Sequence, residues 1–171
     1  MKGIVTRSRI VKVLFGVYGL ALLYLSVFRN LAFMLNNLEI GRNLLSHIRY
    51  HVNFIPFDTY NTYYDRLMSS TINVDTVVSV VCSNLLVLIP LGFLCIMCLN
   101  MPFGKTMLTA LLTAVVLDMI QLLTMTGSFD VDIILLRMVG ACAGWLVGCI
   151  IGGAVKMIRE RLKPEPAVLL Q

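Results

Sequence analysis

Apolar residues along this chain run in four long blocks separated by polar breaks. The blocks cover Ile10 to Phe28, Val74 to Leu99, Thr106 to Met125 and Val131 to Val155. A helix needs about 20 predominantly apolar residues to cross the hydrocarbon of a bilayer, so each block predicts a membrane-spanning helix. The first has the basic flank of a signal peptide, but it is long and no small-x-small cleavage site follows before Arg29-Asn30. It reads as an uncleaved signal anchor, with Lys12 snorkelling to the interface. Pro90 lies inside the second block and predicts a kink or break near Leu86, whose carbonyl loses its helical partner.

Composition agrees with lipid as the solvent. Hydrophobic residues make up 58% and charged residues 13% of the 171, about half the charge of a globular protein. With a mean hydropathy of +0.88, a soluble domain of this size would be left with apolar surface it could not hide. A cytosolic enzyme, a disulfide-framed secreted module and a disordered tail are excluded.

The formal charge of +5 does not point to nucleic acid, because the basic residues sit at the ends of the blocks. Lys2, Arg7, Arg9, Lys12, Lys105, Lys156, Arg159, Arg161 and Lys163 fall on one side if both termini and the Asn100–Lys105 turn are cytoplasmic. Arg29, Arg42, Arg49 and Arg66 fall on the other, as the positive-inside rule requires. The expectation is an all-α integral membrane protein in the cell membrane, a small polytopic bundle of about four transmembrane helices. It spans residues 1–163 and is followed by a short flexible cytoplasmic tail, 164–171.

The outer segment from Arg29 to Asn73 is long enough to cover the mouth of such a bundle. Leu44, Ile48 and Val52 recur at helical spacing with Leu45 alongside, which predicts a short interfacial helix. Asn53-Phe54-Ile55-Pro56-Phe57 follows, a candidate for a loop dipping back into the bundle. Tyr60, Tyr63 and Tyr64 suit the headgroup layer.

Polar residues within the apolar blocks carry the candidate chemistry. Asp118 and Gln121 share a helix face with Thr124, and Arg137 lies on the next helix. Asp118 precedes Gly127 by nine residues and Arg137 follows it by ten. A tight helical hairpin therefore puts both at similar depth, on the order of 10–15 Å from the turn. Either charge alone in lipid costs at least ~2.5 kcal/mol, so they should pair. Such a pair fixes helix register or lines a polar cavity, and both readings stay open; Asn84 can reach the same cavity from the second span. Asp130 and Asp132 beside the outer turn suit cation binding or acid–base work, and equally suit a solvated turn and helix start. His47 and His51 share a helix face but lack a third zinc ligand. The five cysteines, Cys95-x-x-Cys98 among them, lie in apolar runs and read as packing residues. No metal or cofactor is expected. Gly140, Gly144, Gly148 and Gly152 make an unbroken stripe for close helix contact, within the chain or across a homodimer.

Three of these stretches together resemble the VanZ family of bacterial membrane proteins, named for a teicoplanin-resistance factor. Asn53-Phe54-Ile55-Pro56-Phe57 is similar to its N-x-x-P-F element, and Asn84 to Phe93 to its N-x5-P-x-G-x segment. Asp118-x-x-Gln121, Gly127, Asp130 and Gly140 follow its E-x-x-Q … G-x-x-D … G pattern. Four positions depart from the family: Asp118 replaces the usual glutamate, Ile133 a second aspartate and Arg137 a common asparagine. Tyr50 stands where some members carry arginine. The resemblance implies an envelope protein that lowers susceptibility to lipid-tailed glycopeptides such as teicoplanin without modifying the cell-wall peptide. On this reading Asn84, Asp118, Gln121 and Arg137, roofed by Asn53 to Phe57 with Pro56, hold a lipid head group, with membrane lipids, a lipid-linked envelope precursor or the lipoglycopeptide as partners. The alternatives are an enzyme on a lipid-linked substrate using Asp130 or Asp132, and a small transporter.

Overall fold

The computed structural model describes residues 2–26, 35 and 44–162, with side chains from Arg9 onward. The start of the expected outer segment, the last two residues of the first expected span and the expected tail lie outside the described residues. Helix α1 runs Lys2–Ser26. Helix α2 (Leu44–Tyr50) leads into a two-residue strand β1 (Val52–Asn53), and α3 covers Asp58–Met68. Helices α4 (Val74–Val87) and α5 (Ile89–Leu99) follow, then α6 (Phe103–Leu123), strand β2 (Phe129–Asp130) and α7 (Val131–Arg161).

Among the described residues three helical stretches are long and apolar enough to cross a membrane: α4 with α5 as one span, α6, and α7. No more than a third of the apolar window in each is buried within the protein. Large apolar side chains such as Leu108, Leu112, Val116, Val139 and Ile150 are exposed on these helices, and lipid is their natural solvent. Helix α1 occupies the first predicted block, but Lys2, Arg7, Arg9 and Lys12 fall in its first three turns and shorten its apolar stretch.

The break in the second block falls at Leu88, two residues beyond the position expected. Pro90 then sits in the first turn of α5, where a missing N–H leaves no gap in the helical ladder. Val87, the last residue of α4, accepts a hydrogen bond from the Tyr18 hydroxyl of α1 at 2.7 Å. A carbonyl at the break is thus satisfied by a neighbouring helix, as an apolar environment demands. Leu88 itself is fully buried.

Helix α7 packs against α4, α5 and α6 and forms the spine of the molecule. Its glycines set how closely the helices approach. A Cβ on Gly140 would collide with the Leu85 carbonyl, one on Gly144 with the Ile89 carbonyl, and one on Gly92 with the Ala141 carbonyl. Gly148 faces the Ile96 side chain, whereas Gly152 has only ordinary contact with Met97 Sδ at 3.6 Å. The upper part of the stripe therefore packs within the chain, and a second copy would have to use its Gly152 end. At the opposite end of the helices from the β1–β2 contact, Trp145 Nε1 donates to the Met101 carbonyl at 3.2 Å and meets Phe103 edge-on.

Gly144→Ala should therefore lower the folded fraction strongly, because the methyl must displace backbone rather than a side-chain tip. A cost of about 1–3 kcal/mol is expected, against a near-neutral Gly152→Ala, read as thermal unfolding of the detergent-solubilised protein.

Candidate functional site

Two polar clusters lie at the end of the helices formed by the α6–α7 turn, an outer one nearer the turn and an inner one deeper in the helices. The inner one joins α4, α6 and α7. Arg137 Nη1 donates to Asp118 Oδ1 in a buried ion pair, with Asp118 1% and Arg137 5% exposed. Arg137 Nε donates to Asn84 Oδ1 at 3.1 Å. The Asn84 amide is in turn oriented by its Nδ2, which donates to Val80 O at 2.9 Å. Removing one partner of such a buried pair strands the other charge, at a typical cost of about 3–5 kcal/mol.

A cavity of about 390 Å³ opens beside this pair. Asn84, Gln121 and Arg137 are in its wall with Ser83, Thr126 and Ser128. Asp118 does not line it; the buried carboxylate stands behind the guanidinium and next to the backbone N–H of Asp130. The cation of the pair therefore faces the cavity and the anion faces the core. Two guanidinium nitrogens, Nε and Nη1, are engaged by Asn84 and Asp118, and no bond to Nη2 is seen among the described residues.

The lining contains none of Asn53 to Phe57. That loop belongs to the outer cluster and does not dip into the bundle. β1 pairs in parallel with β2, Val52 opposite Phe129 and Asn53 opposite Asp130, and Phe129 N donates to His51 O at 2.9 Å. The Asp132 carboxylate then takes the backbone N–H of Phe57 on Oδ1 at 2.6 Å and of Thr59 on Oδ2 at 3.0 Å. This caps the N-terminus of α3 from another helix, where a negative charge is favoured. Asp130 Oδ1 caps α7 by accepting from Asp132 N at 2.9 Å, and Asp130 Oδ2 accepts from Thr59 Oγ1 at 2.5 Å. Asn53 Nδ2 donates to the same threonine oxygen at 3.1 Å.

With its backbone held inward, the loop turns its side chains out. Phe54, Ile55 and Phe57 are 68%, 66% and 63% exposed, and Pro56 is exposed as well. Phe57 adopts a left-handed backbone, φ 68°, a conformation that costs a non-glycine residue about 1–2 kcal/mol. The two bonds to Asp132 hold it there.

His47 is buried on the inner face of α2 and bonds the α6–α7 turn, its Nε2 donating to Gly127 O at 3.1 Å. The His47 and His51 rings stack at 3.9 Å. Val52, expected to continue the helix, has left it for β1. Among the described residues no group of three His, Cys, Asp or Glu side chains is arranged to hold a metal ion.

Asp118, Gln121, Arg137 and Asn84 are thus brought together, Asn53, Asp130 and Asp132 form an adjoining clamp, and Pro56 is exposed on the loop with no part in either. Sequence reasoning passed over Thr59, which joins the three parts of that clamp, and His47 as a latch on the turn. Neither carries a motif, because each acts through backbone neighbours distant in the chain.

A family model, VanZ/LLP1, matches residues 15–152, a stretch that contains both clusters. The chain belongs to the VanZ/LLP1 family. No curated protein and no solved structure matches it significantly. Family membership and the apolar helices together make it a VanZ-like membrane protein.

Two outcomes follow for the outer clamp. Asp132→Ala should free the N–H groups of Phe57 and Thr59, each charge-assisted bond contributing about 1.5–3 kcal/mol. Amide exchange in Asn53 to Met68 should then quicken at least roughly tenfold, with α6 and α7 unchanged. Burial first, then the charges of Asp132 and Asp130, raise the Tyr60 phenol above its usual 10, and burial and Asp130 raise that of Tyr63. Both favour the neutral phenol in the folded state. Their contribution is complete below pH 10 and is lost as pH rises through the higher folded values. Ultraviolet titration should show late-ionising tyrosines, with two fewer of them in a Tyr60→Phe, Tyr63→Phe variant.

Proposed function

We propose that this VanZ-like protein holds the anionic head group of a lipid in the cavity beside Arg137, and thereby alters the envelope surface that lipid-tailed glycopeptides such as teicoplanin meet. The observation that carries the reading is the orientation of the buried pair. A guanidinium at the wall, oriented by Asn84 and backed by Asp118, presents a planar donor suited to phosphate or carboxylate oxygens. Ser83, Ser128 and Gln121 add uncharged polar groups around it.

In the bilayer, α1 is the first of four spans, both termini are cytoplasmic and the cavity opens to the outside. The basic residues at the chain ends and at Lys105 support this orientation. Helix α2 then lies along the outer interface, and the exposed Phe54, Ile55 and Phe57 sit at headgroup level. Partners of suitable chemistry are phospholipids of the outer leaflet or a lipid-linked envelope precursor. An acid–base enzyme built on Asp130 and Asp132 has no comparable support, because every carboxylate oxygen of the two already accepts a hydrogen bond within the clamp.

The test is teicoplanin susceptibility of a Gram-positive host expressing the chain, beside Asp118→Asn and the double variant Asp118→Asn, Arg137→Gln, all at equal membrane abundance. The wild type should reduce susceptibility. The single variant should be poorly folded, and the double variant, with no stranded charge, should fold yet give no protection. Protection retained by the double variant would place the working site elsewhere.

A further inference from the structure

We propose that the cavity and a second, apolar groove between α1 and α6 form one site for a single amphiphile, with head at Arg137 and hydrocarbon tail along the two helices. The inference rests on the head-group reading above and adds the class of ligand: an anionic lipid, not a free anion.

The groove has a volume of about 380 Å³. Gly19 and Leu22 of α1 and Leu112, Val116, Leu117 and Ile120 of α6 are in its walls. The hydroxyl of Thr113, also in the wall, donates to the Thr109 carbonyl of its own helix at 2.8 Å, so the surface offers hydrocarbon alone. The groove is open beside Gly19, where a Cβ would meet no atom within 4 Å.

Continuity joins the two spaces. Leu117 lines both, and Leu22 of the groove and Leu25 of the cavity are three residues apart on the same face of α1. On α6 the walls run from Gln121 in the cavity to Leu112 in the groove. Nine residues at 1.5 Å each place the far end of the groove roughly 14 Å deeper than the cavity wall. Charge complementarity selects the occupant. An inorganic anion would meet the cavity and leave the groove to bulk lipid; a neutral hydrocarbon would fill the groove and offer no acceptor to Arg137 Nη2 at the cavity wall. An outer-leaflet lipid with a phosphate or carboxylate head satisfies both ends, its head at the depth of the α6–α7 turn and its tail pointing toward the midplane.

The experiment uses the full chain in nanodiscs of neutral phosphatidylcholine, titrated with dodecyl phosphate and, separately, with inorganic phosphate, and followed by phosphorus NMR. Gly19→Leu fills the groove from a position with free space. Gly16→Leu is the control, since Gly16 also has nothing within 4 Å of a built Cβ but does not line the groove. Dodecyl phosphate should bind the wild type and Gly16→Leu alike, and bind Gly19→Leu about tenfold more weakly, the equivalent of one or two methylene groups losing their place. Phosphate itself should bind all three equally. Dodecyl phosphate binding Gly19→Leu as tightly as the wild type overturns the tail assignment and leaves the head-group reading intact. Binding of neither probe to the wild type, or undiminished binding to the charge-neutral Asp118→Asn, Arg137→Gln variant, overturns the head-group reading and the inference with it.

Discussion

The close backbone approach of α7 to α4 and α5 is the constraint on which the rest of the structure depends. Gly140 admits the carbonyl of Leu85, and Gly144 that of Ile89. Arg137 lies one turn before Gly140 on the same face of α7, and Asn84 is the neighbour of Leu85 on α4. The contact that seats the helices therefore also delivers the guanidinium to the amide at 3.1 Å. The break at Leu88 belongs to the same arrangement, since Ile89, whose carbonyl faces Gly144, opens the new helix. A side chain at either glycine would separate the helices and draw Arg137 away from Asn84 before any effect on charge was felt.

The outer clamp solves a different problem. A loop that turns Phe54, Ile55 and Phe57 outward needs a backbone held by something other than its own hydrophobic burial. Four carboxylate oxygens supply the hold. Two belong to Asp132 and cap α3, one belongs to Asp130 and caps α7, and the fourth takes Thr59. With Asp130 and Asp132 so engaged, aspartate at Ile133 is not required for this set of bonds. The left-handed backbone of Phe57 is the strained element, and the clamp is what compensates for it. Acidic residues beside a glycine turn thus act here as structural acceptors.

Much of this was legible from residue spacing, for reasons of helix geometry. Counting nine residues back and ten forward from Gly127 brings Asp118 and Arg137 to one depth, and the cost of an isolated charge in lipid makes the pair the expected outcome. Glycines spaced every four residues lie along one face, so the stripe announced tight packing. The outer layer was not legible in that way. Its bonds run from backbone N–H groups to carboxylates more than 70 residues away, and no periodicity encodes which amide a distant aspartate will take. The amphipathic pattern that carried Val52 into the helix lost to the parallel pairing of Val52 with Phe129. The lining of the cavity was likewise half readable: Asn84, Gln121 and Arg137 stand on helix faces, whereas Thr126 and Ser128 reach it from a turn.

The proposed anion site is one half of a neutral ion pair, and the placement of the two charges bears on that proposal. Asp118 is shielded from the cavity by Arg137, so a ligand meets the guanidinium at contact distance and the carboxylate only behind it. In a low-dielectric surround, attraction at the near charge exceeds repulsion at the far one, because both fall with distance. The counter-charge also keeps the empty site tolerable in lipid, where a lone guanidinium would drive α7 to snorkel or tilt. A shorter acid at position 118 fits this role: the pair sits close against α6, and the cation remains at the wall. On the proposed reading, the departure of Arg137 from the asparagine common in the family gives this member a cation where a neutral amide would bind an anion more weakly. The altered residue and its altered partner act together, a coupled change in which neither charge is stable without the other.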